Sequence, residues 1–150
     1  APVLELDALA TPDAAALAAG ALDWAAGRLG ATPVVIAASA PPEQVAALQA
    51  RLGREAAGAL IEQAMALIAE GLVARGVGRL VVAGGETSGA VAQRLGVTSL
   101  RIGPEIDPGV PWTYAGRGTA ATQGLHLALK SGNFGARDFF LKAFDVAVHP

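Results

Sequence analysis

Short continuous apolar runs alternate along this chain with longer stretches in which apolar residues recur every three or four positions. The short runs are Pro33 to Ala38, Arg79 to Ala83, Ser99 to Ile102 and Leu125 to Leu129, each too short for a helix and apolar enough for a buried strand. The longer stretches read as helices. The first runs from Asp13 to Leu29, with Thr11 as its cap and Pro12 in the first turn, where a missing N–H does no harm. Pro41, Pro42 and Glu43 open a second helical region with an apolar stripe at Val45, Leu48 and Leu52, and a further stripe at Leu60, Ala64, Ile68 and Leu72 carries it to Gly76. Gly53 and Gly58 each weaken a helix by about 1 kcal/mol relative to Ala, which predicts a break or bend there. A last amphipathic stretch covers Arg137 to Phe144. Strands alternating with helices predict an α/β fold: a mainly parallel sheet with helices on both faces, in three layers.

The strand Arg79 to Ala83 runs into Gly84-Gly85-Glu86-Thr87-Ser88-Gly89 at the start of a helix. Glycines at such a junction allow a close approach by a ligand, and the unpaired N–H groups of the first helical turn favour an anion. Thr87 or Ser88 either caps this helix or bonds an oxygen of the ligand. Many strand-to-helix turns use glycine only to turn, and this one is neither a P-loop nor a Gly-x-Gly-x-x-Gly fingerprint. A second turn of similar make-up, Lys130-Ser131-Gly132-Asn133-Phe134-Gly135, follows Leu125 to Leu129. Two such turns at the carboxyl ends of neighbouring strands would converge on one ligand. Between them, Arg101 to Trp112 contains enough glycine and proline to predict an ordered loop, and Thr113 to Gly124 predicts a flexible surface connection.

GGETSG, IGPEIDPGVPW and LALKSGNFG, in this order and running into DFF, resemble the carboxy-terminal nucleotide-binding domain of the four-carbon acid sugar kinases, which include the 3-oxo-tetronate and threonate kinases. The resemblance extends upstream through PVVIAASAPPE, so it covers the chain from about residue 30 to residue 144. It implies a two-domain enzyme in which residues 1–150 form the single ATP-binding domain and an amino-terminal domain, absent here, binds the sugar acid. It also implies nucleotide contacts at Ser39, Gly84, Gly85, Glu86, Thr87 and Gly132, with ATP and Mg2+ as cofactors. Such a fragment is expected to bind nucleotide and to phosphorylate little or nothing alone.

Each candidate has a plainer alternative. Glu86 either orients a magnesium-bound water or suits the positive end of a helix dipole. Lys130 either neutralises charge on a transferred phosphoryl group or is a solvated strand-end lysine. Glu105 and Asp107 are open between a magnesium pair and an ordinary Asp-Pro-Gly turn. Trp112 either stacks on a base or anchors the edge of the core, and Trp24 reads as packing. His126 lies in a strand and His149 in a tail, too far apart in pattern for zinc; no protein metal site and no catalytic base are assigned.

Charge narrows the partners. A formal net charge of −2 in 150 residues, with scattered Lys and Arg, offers no basic field for nucleic acid. Without cysteine there is neither a disulfide nor a thiolate site. No run of 18 uninterrupted apolar residues occurs, and no signal sequence opens the chain, so it reads as a soluble cytoplasmic fragment with no membrane partner; self-association is left open. Two rivals remain: a non-catalytic nucleotide-sensing module, and a structural domain whose glycines only make turns.

Overall fold

The computed structural model describes residues 1–117, 122–132 and 134–148. Two compact units divide the chain, residues 1–68 and 69–150.

In the first unit, β1 (Val3–Glu5) pairs in parallel with β2 (Val35–Ala37), Leu4 opposite Ile36. The hydrophobic pattern did not mark β1, a three-residue strand with only Leu4 partly covered. Helix α1 (Ala14–Ala26) starts one residue later than its sequence pattern predicts. Its cap is Asp13, whose Oδ1 accepts the Ala15 N–H at 3.0 Å, so the carboxylate takes the role expected of Thr11. Ala14, Leu17, Ala18, Ala21 and Ala25 form its buried face. Trp24 is half-buried beneath the Arg28 guanidinium, 4.8 Å from the ring centre. Helix α2 (Pro42–Leu52) ends at Gly53, the predicted break, and α3 (Arg54–Ala74) begins directly after it and continues through Gly58 without interruption.

By length and mean hydropathy α3 is long and apolar enough to cross a membrane, which a search for uninterrupted apolar runs does not register. Arg54, Glu55, Glu62 and Glu70 lie along it, while Ala64, Ile68, Ala69, Leu72 and Val73 are buried inside the protein. That division is also what a core helix shows.

The second unit is built on a four-stranded sheet of order β3-β6-β5-β4, from β3 (Arg79–Ala83), β4 (Ser99–Asp107), β5 (Val110–Arg117) and β6 (His126–Lys130). β3 and β6 run parallel; β5 pairs antiparallel with both β6 and β4. The α/β class and the layering hold, in a sheet of mixed direction. One face packs Val82, Ala115 and Leu127 against Ala69 and Val73 of α3, Val91 of α4 (Gly85–Arg94) and Leu95, which caps that helix. The other packs Ile106, Val110, Trp112 and Ala128 against Phe139 and Ala143 of α5 (Phe139–Ala143). Adjacent Leu127 and Ala128 serve opposite faces, as the two-residue strand period requires.

The structure corrects the reading of residues 101–117. The glycine- and proline-rich segment is not a loop but a bulged hairpin, β4 and β5, turning at Pro108-Gly109 with Asp107 opposite Val110. Pro104 is tolerated because β4 is an edge strand. Gly103 is required by proximity: a Cβ there would lie 2.9 Å from the Trp112 carbonyl oxygen. The start of the supposed flexible connection is therefore strand, with the Thr113 hydroxyl donating to the Leu127 carbonyl in the interior. Residues 118–121 of that segment, and His149, lie outside the described residues.

Candidate functional site

Parallel pairing of β3 with β6 brings the two glycine turns side by side at the carboxyl ends of those strands. Ala83 is opposite Lys130, and one residue on the Gly84 N–H donates to the Lys130 carbonyl at 2.8 Å. Gly84 adopts φ 105°, a conformation that L side chains rarely take, and from there the chain enters α4. Neither Thr87 nor Ser88 caps this helix: Gly84 occupies the cap position without a side-chain bond, and both hydroxyl residues lie inside the helix. The first hydrogen bond of the helix runs from Ser88 N to Gly84 O at 2.8 Å. The N–H groups of Gly85, Glu86 and Thr87 precede it and have no helical acceptor.

Gly85 and Glu86 are exposed, Thr87 is half-buried, and among the described residues no atom outside the local chain lies within 4 Å of where a Gly85 Cβ would stand. A Cβ at Gly84 would meet the Thr87 Oγ1 at 3.5 Å, so that hydroxyl sits over the turn. Ser88 faces inward, and its Oγ is buried with no hydrogen-bond partner among the described residues.

Across the bond to Lys130, Ser131 and Gly132 are exposed, with open space around Gly132. The Lys130 Nζ donates to the Gly132 carbonyl at 2.8 Å, closing the turn from its own strand. Asn133 lies outside the described residues. This second turn does not lead straight into a helix, as its sequence suggests; α5 begins only at Phe139. Ser39 is exposed just beyond β2, in the first unit.

Other candidates have structural employment. Asp107 is buried, pairs with the Lys142 ammonium, and accepts the Ala136 N–H at 2.9 Å. Those donors, the Lys142 ammonium first and the Ala136 N–H second, hold its carboxyl below the usual range, while burial acts the other way; Lys142 is raised chiefly by its bond to Asp107. Glu105 Oε1 accepts the Gly109 N–H at 3.0 Å within the hairpin tip. With both carboxylates so engaged, the pair does not suit magnesium, and among the described residues no cluster of three metal-ligating side chains occurs. Trp112 is fully buried, its Nε1 donating to the Ala143 carbonyl at 2.8 Å, which makes it a core anchor and not a base-stacking platform. His126 opens β6 with its ring 5.4 Å from that of Tyr114.

The sequence pattern assigned nothing to Phe134 or Lys142. Phe134 is exposed yet rests on Gly109, and Lys142 reaches Asp107 from the next helix. Only the hairpin reading of residues 101–112, with its Pro-Gly turn, would have pointed to either.

A mixed α/β sheet presenting two glycine turns, one of them opening a helix, at the ends of adjacent parallel strands is a framework suited to holding a small anionic ligand. The chain belongs to the family described as the nucleotide-binding C-terminal domain, whose pattern matches residues 1–140. It is 58% identical over 146 residues to a 3-oxo-tetronate kinase of Methylobacterium radiotolerans and 54% identical over 142 residues to one of Cupriavidus necator. Those matches cover 97% and 95% of this chain but 34% and 32% of the kinases, so the chain spans about a third of the length of the curated relatives it matches. Among solved structures, Haemophilus influenzae protein HI1011 superposes with a TM-score of 0.81 at 37% identity, over 95% of this chain and 34% of that one. The resemblance seen in the three motifs thus holds over nearly the whole chain.

Proposed function

We propose that this chain is the ATP-binding domain of a kinase that phosphorylates a four-carbon sugar acid of the 3-oxo-tetronate type. The observation that carries the reading is the bond from Gly84 N to Lys130 O, which sets two glycine turns against each other in a chain of a nucleotide-binding family. The N–H groups of Gly85, Glu86 and Thr87, which have no helical acceptor, would hold phosphate oxygens, and Gly132 would face them from the neighbouring turn. By resemblance, Ser39 is a further nucleotide contact.

Phosphoryl transfer needs positioning and charge neutralisation more than covalent help from the protein. Magnesium would supply much of that charge, held by phosphate oxygens and water; Glu86, exposed in the first turn of α4, would orient one of those waters. The Lys130 ammonium, committed to Gly132, fixes the turn in preference to touching the transferred group. The acceptor hydroxyl would be one of the sugar acid's own, and the group that deprotonates it would come from outside the third of the kinase that this chain represents.

Calorimetric titration with ATP and magnesium tests the reading, run beside Gly85→Asp. Gly85 has ordinary backbone torsions and free space, so an aspartate fits and places negative charge where the phosphates belong. Saturable binding by the parent and a loss of about tenfold or more in a still-folded variant is expected, the scale of losing one charge-assisted hydrogen bond. A folded parent that binds no nucleotide, or a variant that binds as well as the parent, counts against it.

A further inference from the structure

We propose that Asp107, at the tip of the β4–β5 hairpin, is the positioning residue for the second glycine turn. By this proposal the hairpin, and not strand β6 alone, sets where Ser131 and Gly132 stand. Its consequence for affinity rests on the nucleotide reading above; its geometry rests on the contacts alone.

The described residues between β6 and α5 form neither helix nor strand. Gly132 at φ 49° and Gly135 at φ 90° leave this stretch with wide conformational choice. A segment without a ladder is held by whatever side chains reach it. Two contacts from the hairpin do so, and a third reaches the helix that follows. Asp107 Oδ2 accepts the Ala136 N–H at 2.9 Å, four residues beyond Gly132. The same carboxylate takes the Lys142 ammonium, so it ties the end of the turn segment and the helix after it to one point. Phe134, two residues beyond Gly132, lies against Gly109, where a Cβ would come within 3.0 Å of its ring. Gly109 at φ 83° satisfies the third position of a Pro-Gly turn, and the Glu105 carboxylate fixes its N–H. From the other side, Lys130 Nζ holds the Gly132 carbonyl. The turn is therefore clamped between its own strand and the hairpin tip.

Anchoring of α5 does not require this carboxylate, because Phe139 and Ala143 already pack on Trp112 and Ala128, and the Trp112 indole bonds the Ala143 carbonyl. Burying a carboxylate carries a desolvation cost that an apolar contact would avoid, so its use here points to geometry over stability.

Hydrogen exchange followed peptide by peptide, with ATP–magnesium titration on the same samples, tests the proposal in the parent chain, Asp107→Asn and Gly109→Ala. Val91→Ala, which thins the opposite core face, serves as a destabilised control. Expected for both hairpin variants is exchange about tenfold faster across residues 131–136 with β3 and β6 still protected, and nucleotide affinity weaker by about tenfold, the scale of one hydrogen bond lost to a charged ligand. The control should keep both the turn's protection and the affinity. Exchange at 131–136 that is unchanged, or raised no more than in Val91→Ala, overturns the proposal. A parent chain that binds no ATP removes the nucleotide reading instead, and the exchange result alone then decides whether Asp107 positions the turn. Gly109→Ala reaches the clamp from the Phe134 side, so it decides the matter even where Asp107→Asn does not fold.

Discussion

The Gly84 N–H and the Lys130 carbonyl, 2.8 Å apart, form the bond that joins the two glycine turns where β3 and β6 end. It needs Gly84 at φ 105° and ψ 129°, beyond the ordinary range of an L residue. Gly84→Ala should therefore cost about 1–3 kcal/mol, the usual penalty for a side chain held in a sparsely populated region. Urea denaturation measures the cost. A loss below about 0.5 kcal/mol would mean that the strand ends relax apart, and with them the geometry on which the proposed site depends.

Ser88 separates the two readings of the hydroxyl pair. Its Oγ is buried with no partner among the described residues, while Thr87 Oγ1 lies over Gly84. Replacing Ser88 by Ala removes an unsatisfied polar atom and improves helix propensity. A gain of about 0.5–1 kcal/mol follows, a rise in Tm of roughly 1–4 °C for a chain of this size, with nucleotide affinity unchanged. Thr87→Ala should do the reverse, weakening binding with little change in Tm. Differential scanning calorimetry with and without ATP reads both, and reduced affinity in Ser88→Ala would put the inner hydroxyl on the ligand.

How much of this was legible beforehand depends on how local each signal is. The helices and the parallel pair β3 and β6 follow from periods within ten or twenty residues, and the two turns could be placed because each directly follows an apolar run. The hairpin could not. Gly103, Pro104, Pro108, Gly109 and Pro111 have the composition of a loop, and what makes them strand and turn is pairing with distant residues: Gly103 makes room for the Trp112 carbonyl, and Pro104 lies on an open edge. The cap of α1 failed for a smaller reason, since Thr11 and Asp13 are both good caps and only the Asp13 bond to Ala15 N decides between them. Asp107 was visible as a carboxylate in a turn, but its partner Lys142 lies 35 residues along the chain (142 − 107), beyond any local pattern.

The Asp107–Lys142 pair gives the second unit a defined pH dependence. Asp107 is lowered from its ordinary 3.8, so its stabilisation is complete above that value and is lost as pH falls through the lower folded value. Lys142 is raised from 10.5, so its share is complete below 10.5 and is lost as pH rises through the higher folded value. Asp138 also favours the charged lysine, which keeps the upper limit high. The difference in Tm between the parent and Asp107→Asn should accordingly be constant through the neutral range and shrink only below pH 3.8 or above pH 10.5. A difference that already changes between about pH 5 and pH 8 would assign the dependence to another group, such as a histidine.

Glu86 gives the sharpest division between a metal-linked and a structural carboxylate. In the first turn of α4 it is exposed, beside N–H groups that have no helical acceptor. A carboxylate there repels phosphate unless a cation stands between them, so the sign of its effect depends on magnesium. If Glu86 works through the metal, Glu86→Gln weakens ATP binding several-fold in magnesium and strengthens it in EDTA, narrowing the metal dependence from both ends. If Glu86 only complements the helix dipole, the variant loses about 0.3–1 kcal/mol of stability in either buffer, and the two affinities move together. Titrations of parent and variant with ATP, each with magnesium and with chelator, distinguish the cases by whether the two affinities move apart or in parallel. Opposite shifts are expected, because the carboxylate is exposed on the side where Gly85 leaves open space and is engaged by no salt bridge or hydrogen bond among the described residues.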